Sequence, residues 1–349
     1  MSAGLTIAGR RIGPSDPPYI VAEVSANHNG SIERIYAILE AAKAAGADAA
    51  KIQTYTADTL TIDHDGPDFQ IAEGLWRGRT LYDLYSEAST PWDWHHGIFR
   101  KAEQIGLPIF SSPFDESAVE FLEELDSPAY KIASFEAVDL ELIASAARTG
   151  KPVIISTGLA TRLEIAEAVA TVRENGGAGP ILLHCVSAYP APPEDMNLRS
   201  IPALASEFET EVGLSDHTLG TGIAASAVAL GATMIEKHLT LRRADGGPDA
   251  AFSLEPSEFA DLVQQVRTTW AALGSSGVER AGSERSNLAF RRSLYVVADI
   301  MRGETLTRAN VRSIRPGYGL PPKFVGEVLG RKAKIDILRG TALDWSFVE

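Results

Sequence analysis

Two stretches, Tyr19-Ile-Val-Ala-Glu-Val24 and Asp48-Ala-Ala-Lys-Ile-Gln53, decide the fold. Each is a short apolar run carrying one charged side chain near its end. Between them, residues 32–45 place apolar side chains at helical spacing and stop at Gly46. The alternation then continues. Strands are expected at 19–24, 48–53, 107–112, 129–134, 152–156, 180–186, 211–215 and 232–238. Helices are expected at 32–45, 92–104, 117–125, 140–148, 162–174, 201–208, 219–230 and 256–273. Short apolar strands alternating with helices imply parallel pairing with both sheet faces covered. Eight such units predict an α/β chain folded as a (β/α)8 TIM barrel. A doubly wound open sheet is the rival. It would usually bring a Gly-rich first turn for a nucleotide, and the sequence has no G-x-G-x-x-G and no Walker loop.

One connection is too long for a simple turn. Residues 54–91 hold Trp76, Tyr82 and Tyr85, with Trp92 and Trp94 just beyond. Long loops in compact domains are functional or disordered. The aromatic content favours an ordered insertion over one barrel end. The barrel pattern fills residues 1–273. Residues 274–288 are small and polar and read as a linker. Residues 289–349 read as a small, mostly β module with pieces at 293–298, 311–313 and 332–337. It is thin for an independent core and should pack against the barrel or another subunit.

The chain has 46 acidic and 32 basic side chains, a formal charge of −14. That balance argues against a nucleic-acid partner, which needs a basic face. It leaves room for a local basic pocket. The single cysteine, Cys185, excludes an intrachain disulfide and a cysteine-rich zinc site. It lies in an apolar run and reads as a small buried hydrophobe. No apolar span is long enough for a membrane helix, and residues 1–18 lack the apolar core of a signal peptide. The expectation is a cytoplasmic enzyme with no membrane partner.

Barrel active sites form at the carboxyl ends of the strands. Those ends bring Glu23, Ser25, Asn27 and His28; Lys51 and Gln53; Ser111, Ser112 and Asp115; Lys131, Ser134 and Glu136; Ser156 and Thr157; His184, Ser187 and Tyr189; Ser215, Asp216 and His217; and Glu236, Lys237 and His238. His217 and His238 end consecutive strands, about 4.8 Å apart in a parallel sheet. Two imidazoles there can share a divalent ion, with Glu23 and Asp249 able to complete its shell. The bland alternative is a pair of hydrogen-bonded histidines in the mouth. Lys51 and Lys131 are costly to bury uncompensated and call for a phosphate or carboxylate ligand, with Ser112, Ser134 and Ser156 adding donors. Structural ion pairing and a Schiff-base lysine are the alternatives. Arg315, in Ser313-Ile-Arg-Pro-Gly-Tyr-Gly319, is either a surface turn or an anchor for an acyl or carboxylate group.

The ordered motifs Ala22-Glu-Val-Ser-Ala-Asn-His-Asn-Gly30, Ala50-Lys-Ile-Gln-Thr-Tyr55, Phe110-Ser-Ser-Pro-Phe114, Tyr130-Lys-Ile-Ala-Ser134, Gly213-Leu-Ser-Asp-His217, Ile235-Glu-Lys-His238 and Gly247-Pro-Asp249 resemble the sialic acid synthase family. These are the phosphoenolpyruvate-dependent synthases of nonulosonic acids. The tail resembles the family's antifreeze-like (SAF, β-clip) domain. Gly74-Leu-Trp76, Thr80-Leu-Tyr-Asp-Leu-Tyr85, Thr90-Pro-Trp-Asp-Trp-His95, Ala250-Ala-Phe-Ser-Leu254 and Phe290-Arg-Arg-Ser293 resemble its pseudaminic acid branch.

The resemblance implies condensation of phosphoenolpyruvate with 2,4-diacetamido-2,4,6-trideoxy-altrose and release of phosphate by C–O cleavage. It implies a divalent metal, Mn2+ first and Mg2+ or Co2+ next, held by His217 and His238. It implies a domain-swapped homodimer in which each antifreeze-like domain reaches the other barrel's mouth. Lys51, Lys131, Ser134, Ser156 and Ser215 would grip phosphoenolpyruvate. Glu23 would serve as acid–base or positioning group, and Asp249 would orient a water or the sugar. Gln53 and Tyr189 would face the substrates, and Arg315 would reach the sugar's acetamido group. Ser187 and Ser112 depart from the neuraminate pattern, which usually has Asn and often Thr there. The alternatives are an N-acetylneuraminate or legionaminate synthase and, from another class, a non-catalytic carbohydrate-binding protein.

Overall fold

The computed structural model describes residues 5–275, 277 and 279–349. Residues 1–4 and two positions of the expected linker, Ser276 and Val278, lie outside the described residues. The chain divides into two compact units, Met1–Gly274 and Ser275–Glu349.

A hairpin of β1 (Thr6–Ile7) and β2 (Arg10–Arg11) precedes the barrel. The barrel strands are β3 (Tyr19–Glu23), β4 (Ala49–Thr54), β5 (Ile109–Pro113), β6 (Tyr130–Ile132), β7 (Val153–Ser156), β8 (Pro180–Cys185), β9 (Glu211–Asp216) and β10 (Met234–His238). They close in sequence order, with β10 pairing β3, and every pair is parallel. The open-sheet rival is thereby excluded. The expected helices are present at shifted ends in several cases; Ile32–Ala45, Leu140–Arg148, Arg162–Glu174 and Pro256–Leu273 match residue for residue.

Strand alternation sorts the side chains into layers. Tyr19, Val21, Ala49, Phe110, Ile154, Leu183 and Met234 fill the lower barrel interior, and Ile7 and Ile12 close it from below. Ile20, Ala50, Ile52, Ile132, Ile155, Leu182, Leu214 and Ile235 point the other way, into the helix layer. Gly213 faces inward where the barrel is tightest: a Cβ there would collide with the Met234 carbonyl and the Leu183 side chain.

Two strand-end expectations need correction. His184 and Lys237 belong to the outward parity. His184 Nε2 bonds to the Met196 carbonyl, and Lys237 pairs with Asp216 at 2.8 Å, both side chains fully buried. Neither reaches the mouth. The insertion is partly helical, with turns at Ala57–Leu60 and Pro67–Phe69 and a helix at Leu81–Ala88 capped by the Thr80 side chain.

In the second unit β11 (Ser293–Val296) pairs antiparallel with β12 (Val311–Ile314) around a core of Leu294, Leu306, Val311, Val328 and Leu343. The expected piece at 332–337 makes only isolated bridges, Thr305 to Lys332, Ala333 to Val348 and Ile300 to Ile337. Gly282–Phe290, largely within the expected linker, winds as a 3-10 helix.

Helix Trp92–Ile105 is tied to the barrel by a buried polar chain. His95 Nε2 lies 2.9 Å from Thr54 Oγ1, Thr54 Oγ1 2.6 Å from Ser111 Oγ, and His95 Nδ1 3.1 Å from the Pro91 carbonyl. Burial pushes the His95 imidazole down to about 4. An imidazole depressed on folding supports the native state above its unfolded pKa of about 6.5 and loses that support as pH falls. The loss reaches roughly 3 kcal/mol by pH 4. Thermal unfolding of wild type and His95→Gln should therefore differ most at pH 7, with the gap narrowing as pH drops to 4. A gap constant with pH would show that His95 is not buried neutral.

Candidate active site

The inward parity that fills the lower barrel with apolar groups places charge one layer higher. Lys51 sits between two carboxylates, its Nζ 2.9 Å from Glu23 Oε2 and 3.3 Å from Glu236 Oε1. It also donates to Ser112 Oγ at 3.2 Å. Burial works to lower the Lys51 ammonium, but the two carboxylates outweigh it and hold it up. Glu236 is held below the usual carboxylate range by Lys51, Lys131 and His217 against the opposing effect of burial. For Glu23 burial prevails and raises the carboxyl. Gln53 bridges Glu23 Oε1 at 3.1 Å and Ser25 Oγ at 3.0 Å, and Ser215 Oγ donates to Glu236 Oε1 at 3.2 Å.

Lys131 is different. It is buried, donates to the Ile132 carbonyl at 3.0 Å, and has no ion-pair partner among the described residues. Burial lowers it to about 8. Near it are buried hydroxyls with open capacity: Ser156 Oγ and Ser187 Oγ have no hydrogen-bond partner among the described residues. Ser134 Oγ makes only a weak 3.5 Å contact to Cys185 Sγ. A Cβ on Gly158 would meet both Ser187 Oγ and Ser134 Oγ, so the backbone approaches this hydroxyl cluster closely. A lone buried ammonium beside spare hydroxyl donors is a receptor for a small anion.

Above this floor opens a cavity of about 390 Å3. Its lining includes Gln53, Lys51, Lys131, Ser134, Ser156, Tyr189, Ser215, His217, His238 and Asp249. Ser112, buried, and Ser187, half-buried, are not among its lining residues; Ser112 contacts Lys51, and Ser187 Oγ lies with Ser134 Oγ beside Gly158. Arg315 belongs to the second unit, where its side chain is exposed. Glu136 and Glu236 also line the cavity. Both stood at expected strand ends but were not singled out. Glu136 Oε2 is buried without a partner, and burial raises its carboxyl to about 7.

The two imidazoles are neighbours, with ring centroids 5.5 Å apart. His217 Nδ1 faces the Val186 carbonyl at 3.1 Å, which leaves Nε2 as its uncommitted nitrogen. His238 Nδ1 is buried without a hydrogen bond, 4.0 Å from Asp249 Oδ2. Asp249 also accepts from Ala26 N at 3.2 Å, and burial raises its carboxyl. Among the described residues no three His, Cys, Asp or Glu side chains converge as an ion cage. His217 Nε2 and His238 Nδ1 are the uncommitted nitrogen donors of this pair, of the kind that borderline divalent ions accept.

Cys185 is buried, as expected, and touches one imidazole of the pair. Its Sγ lies 3.8 Å from His217 Nδ1. Burial opposes ionisation, but His217, Ser134 and Lys131 outweigh it and bring the thiol to about 7. The Tyr189 ring packs at a tilt against both His217 and Phe252, with centroids 4.4 Å and 5.2 Å away.

Residues 38–277 match the NeuB family, and residues 291–349 match the SAF domain. The chain belongs to the NeuB family. It is 47% identical to a pseudaminic acid synthase of Campylobacter jejuni, covering 93% of this chain and 95% of that protein. It is 44% identical to a pseudaminic acid synthase of Helicobacter pylori, over 95% and 98%. Among solved structures, an N-acetylneuraminic acid synthetase from Leptospira borgpetersenii in complex with citrate superposes with a TM-score of 0.74 at 32% identity. That match covers 82% of this chain and 96% of that one. No helix among the described residues is long and apolar enough to cross a membrane.

The Lys131 site yields a test that needs no knowledge of the reaction. Sulfate keeps its charge from pH 6.5 to 9.5, so calorimetry with sulfate isolates the protein's titration. Affinity should fall as pH rises through about 8, and Lys131→Met should weaken it at least about tenfold at pH 7. Unchanged sulfate binding in that variant would place the anion elsewhere.

Proposed function

We propose that this member of the NeuB family is a pseudaminic acid synthase. It condenses phosphoenolpyruvate with 2,4-diacetamido-2,4,6-trideoxy-altrose and releases phosphate by C–O cleavage. The observation that carries the reading is one cavity holding an unpaired ammonium with spare hydroxyls, an adjacent imidazole pair, and two carboxyls raised by burial, Glu136 and Asp249. The 47% identity to a pseudaminic acid synthase of Campylobacter jejuni supports this choice of sugar.

The roles follow from the groups present. Lys131, with Ser134, Ser156 and Ser187, takes the phosphate and carries its charge as the C–O bond breaks. Lys51, pinned by two carboxylates, faces the phosphoenolpyruvate carboxylate end with Ser215. His217 and His238 would hold a divalent ion, Mn2+ first, which polarises the aldehyde oxygen when bound. The enol carbon attacks that carbonyl carbon, and water adds at C2. Glu23, with its carboxyl raised, serves as acid–base or positioning group near the new bond. Glu136 titrates near 7, the range suited to taking a proton from the attacking water. Asp249 and Tyr189 orient the sugar over the imidazoles. The chain acts as a homodimer in which Arg315 of the partner subunit meets an acetamido group.

The deciding assay mixes purified protein, Mn2+ and phosphoenolpyruvate with the diacetamido-altrose aldehyde or, in parallel, N-acetylmannosamine. A nine-carbon acid from the first sugar only, with one phosphate per product, is the expected result. Turnover of N-acetylmannosamine alone would make the protein a neuraminate synthase. No phosphate from either would defeat the reading. His217→Ala should cut turnover on the order of a thousandfold and lose Mn2+ binding by titration, while its circular dichroism matches wild type. Full activity in metal-stripped enzyme would remove the metal from the scheme.

A further inference from the structure

The cavity is chemically divided. Its charged and hydroxyl-bearing lining comes from the barrel strands and the turns after them. Its other side comes from the insertion, which contributes Leu60, Ile71, Trp76, Leu81, Leu84 and Ala88. Five of these six have no polar side-chain atom. The sixth, Trp76, has one, and the indole N–H is already spent on the Pro248 carbonyl at 3.0 Å. What Trp76 offers the cavity is an apolar ring face. The phenols of Tyr55 and Tyr85 are the hydroxyls on this side.

The wall is built in place. Ile71 N bonds to the Arg79 carbonyl at 2.9 Å and Gly78 N to the Ile71 carbonyl at 2.9 Å, closing a tight loop around Trp76. The Thr80 side chain caps the helix that presents Leu81 and Leu84, accepting from Asp83 N at 3.0 Å. Trp76 also packs 5.6 Å from Tyr189, which lies 4.4 Å from His217. The apolar wall thus stands two rings away from the imidazole pair, within reach of a single sugar chain held there.

We propose that Trp76, Leu81 and Ile71 determine specificity by receiving the methyl end of a deoxy sugar and rejecting a terminal hydroxyl. This rests on the synthase reading of the same site. A hydroxymethyl group set against Trp76, Leu81 and Ile71 leaves its water partners and meets no free polar side-chain atom on those three residues to replace them. A methyl group fills the same space and buries apolar surface. An apolar pocket of this kind discriminates against an added hydroxyl by up to about a hundredfold.

The test reads binding, so it does not depend on turnover. Open-chain alditols of the 6-deoxy diacetamido sugar and of its 6-hydroxy counterpart cannot condense. Calorimetry with each, in the presence of phosphoenolpyruvate and Mn2+, gives a Kd ratio. Wild type should favour the deoxy alditol by about ten- to a hundredfold. Leu81→Asn, at the half-buried first turn of its helix, should bring the ratio within about threefold of unity, and Leu81→Met should retain it. Ile71→Thr serves as a second variant, and melting curves confirm that each folds. Equal affinities in wild type, no binding of either alditol, or an unchanged ratio in both polar variants would overturn the proposal. Strong discrimination between alditols without any condensation of the aldehyde would defeat the synthase reading alone.

Discussion

Everything above the apolar barrel floor depends on Lys51 lying between Glu23 and Glu236. An ammonium buried in the barrel interior costs several kcal/mol unless paired. Here one cation on β4 serves two carboxylates, one from the neighbouring strand β3 and one from β10 beyond it. The parallel register fixes this. Glu23 stands level with Lys51 on one side and with His238 on the other. Slipping any of these strands by one residue would turn its charged side chain into the helix layer. Because Lys51 is shared, burial prevails at Glu23 and raises its carboxyl, while Lys51, Lys131 and His217 hold Glu236 below the usual carboxylate range. Two like carboxyls are thereby pushed in opposite directions, the arrangement that separates acid from base in one site.

That floor also explains where the protein tolerates unsatisfied polar atoms. Among the described residues Ser156 Oγ, Ser187 Oγ, Glu136 Oε2, Glu236 Oε2 and His238 Nδ1 all lack partners. They gather at the carboxyl ends of the barrel strands, while in the lower barrel interior Tyr19 Oη is the one such atom among the described residues. Buried groups without partners are destabilising in a folded chain and are rare. Their concentration around one cavity means that the site gains what the empty fold lacks when an anion, a cation and a polyhydroxylated substrate enter together. The hairpin that closes the opposite barrel end with Ile7 and Ile12 helps carry that cost.

The barrel was legible because eight strands repeat one pattern, and the site because alternation on those strands dictates which side chains turn inward. His184 and Lys237 show the rule at work in reverse. Each neighbours an inward residue, Cys185 and Glu236 or His238, so the two-residue period already assigned them to the helix layer. Strand-end position alone had suggested otherwise for His184. Where the period stops, so does the reading. Glu136 follows β6 on a 3-10 turn, and no periodicity predicts its direction. Two-residue strands such as β1 and β2 carry no pattern to read. The helix Leu81–Ala88 was legible from the Thr80 cap and the spacing of Leu81, Leu84 and Tyr85, but the long, aromatic-rich interval masked it. Cys185 is buried as its apolar run suggested, but its contact with His217 on the next strand is one that sequence distance hides.

The division between strands and insertion is a division of labour. Groups that stabilise developing charge need fixed positions, and barrel strands hold them to within the tolerance of a closed hydrogen-bonded register. Groups that choose among sugars need only a complementary surface, which a loop can supply and alter without disturbing the register. Trp76 joins the two through its hydrogen bond to Pro248, one residue before Asp249. Selection at the wall and orientation over the imidazoles are therefore mechanically linked. A substitution that displaced Trp76 would release the Gly247–Asp249 turn as well, so a change in which sugar binds would bring with it a change in how the bound sugar faces the chemistry.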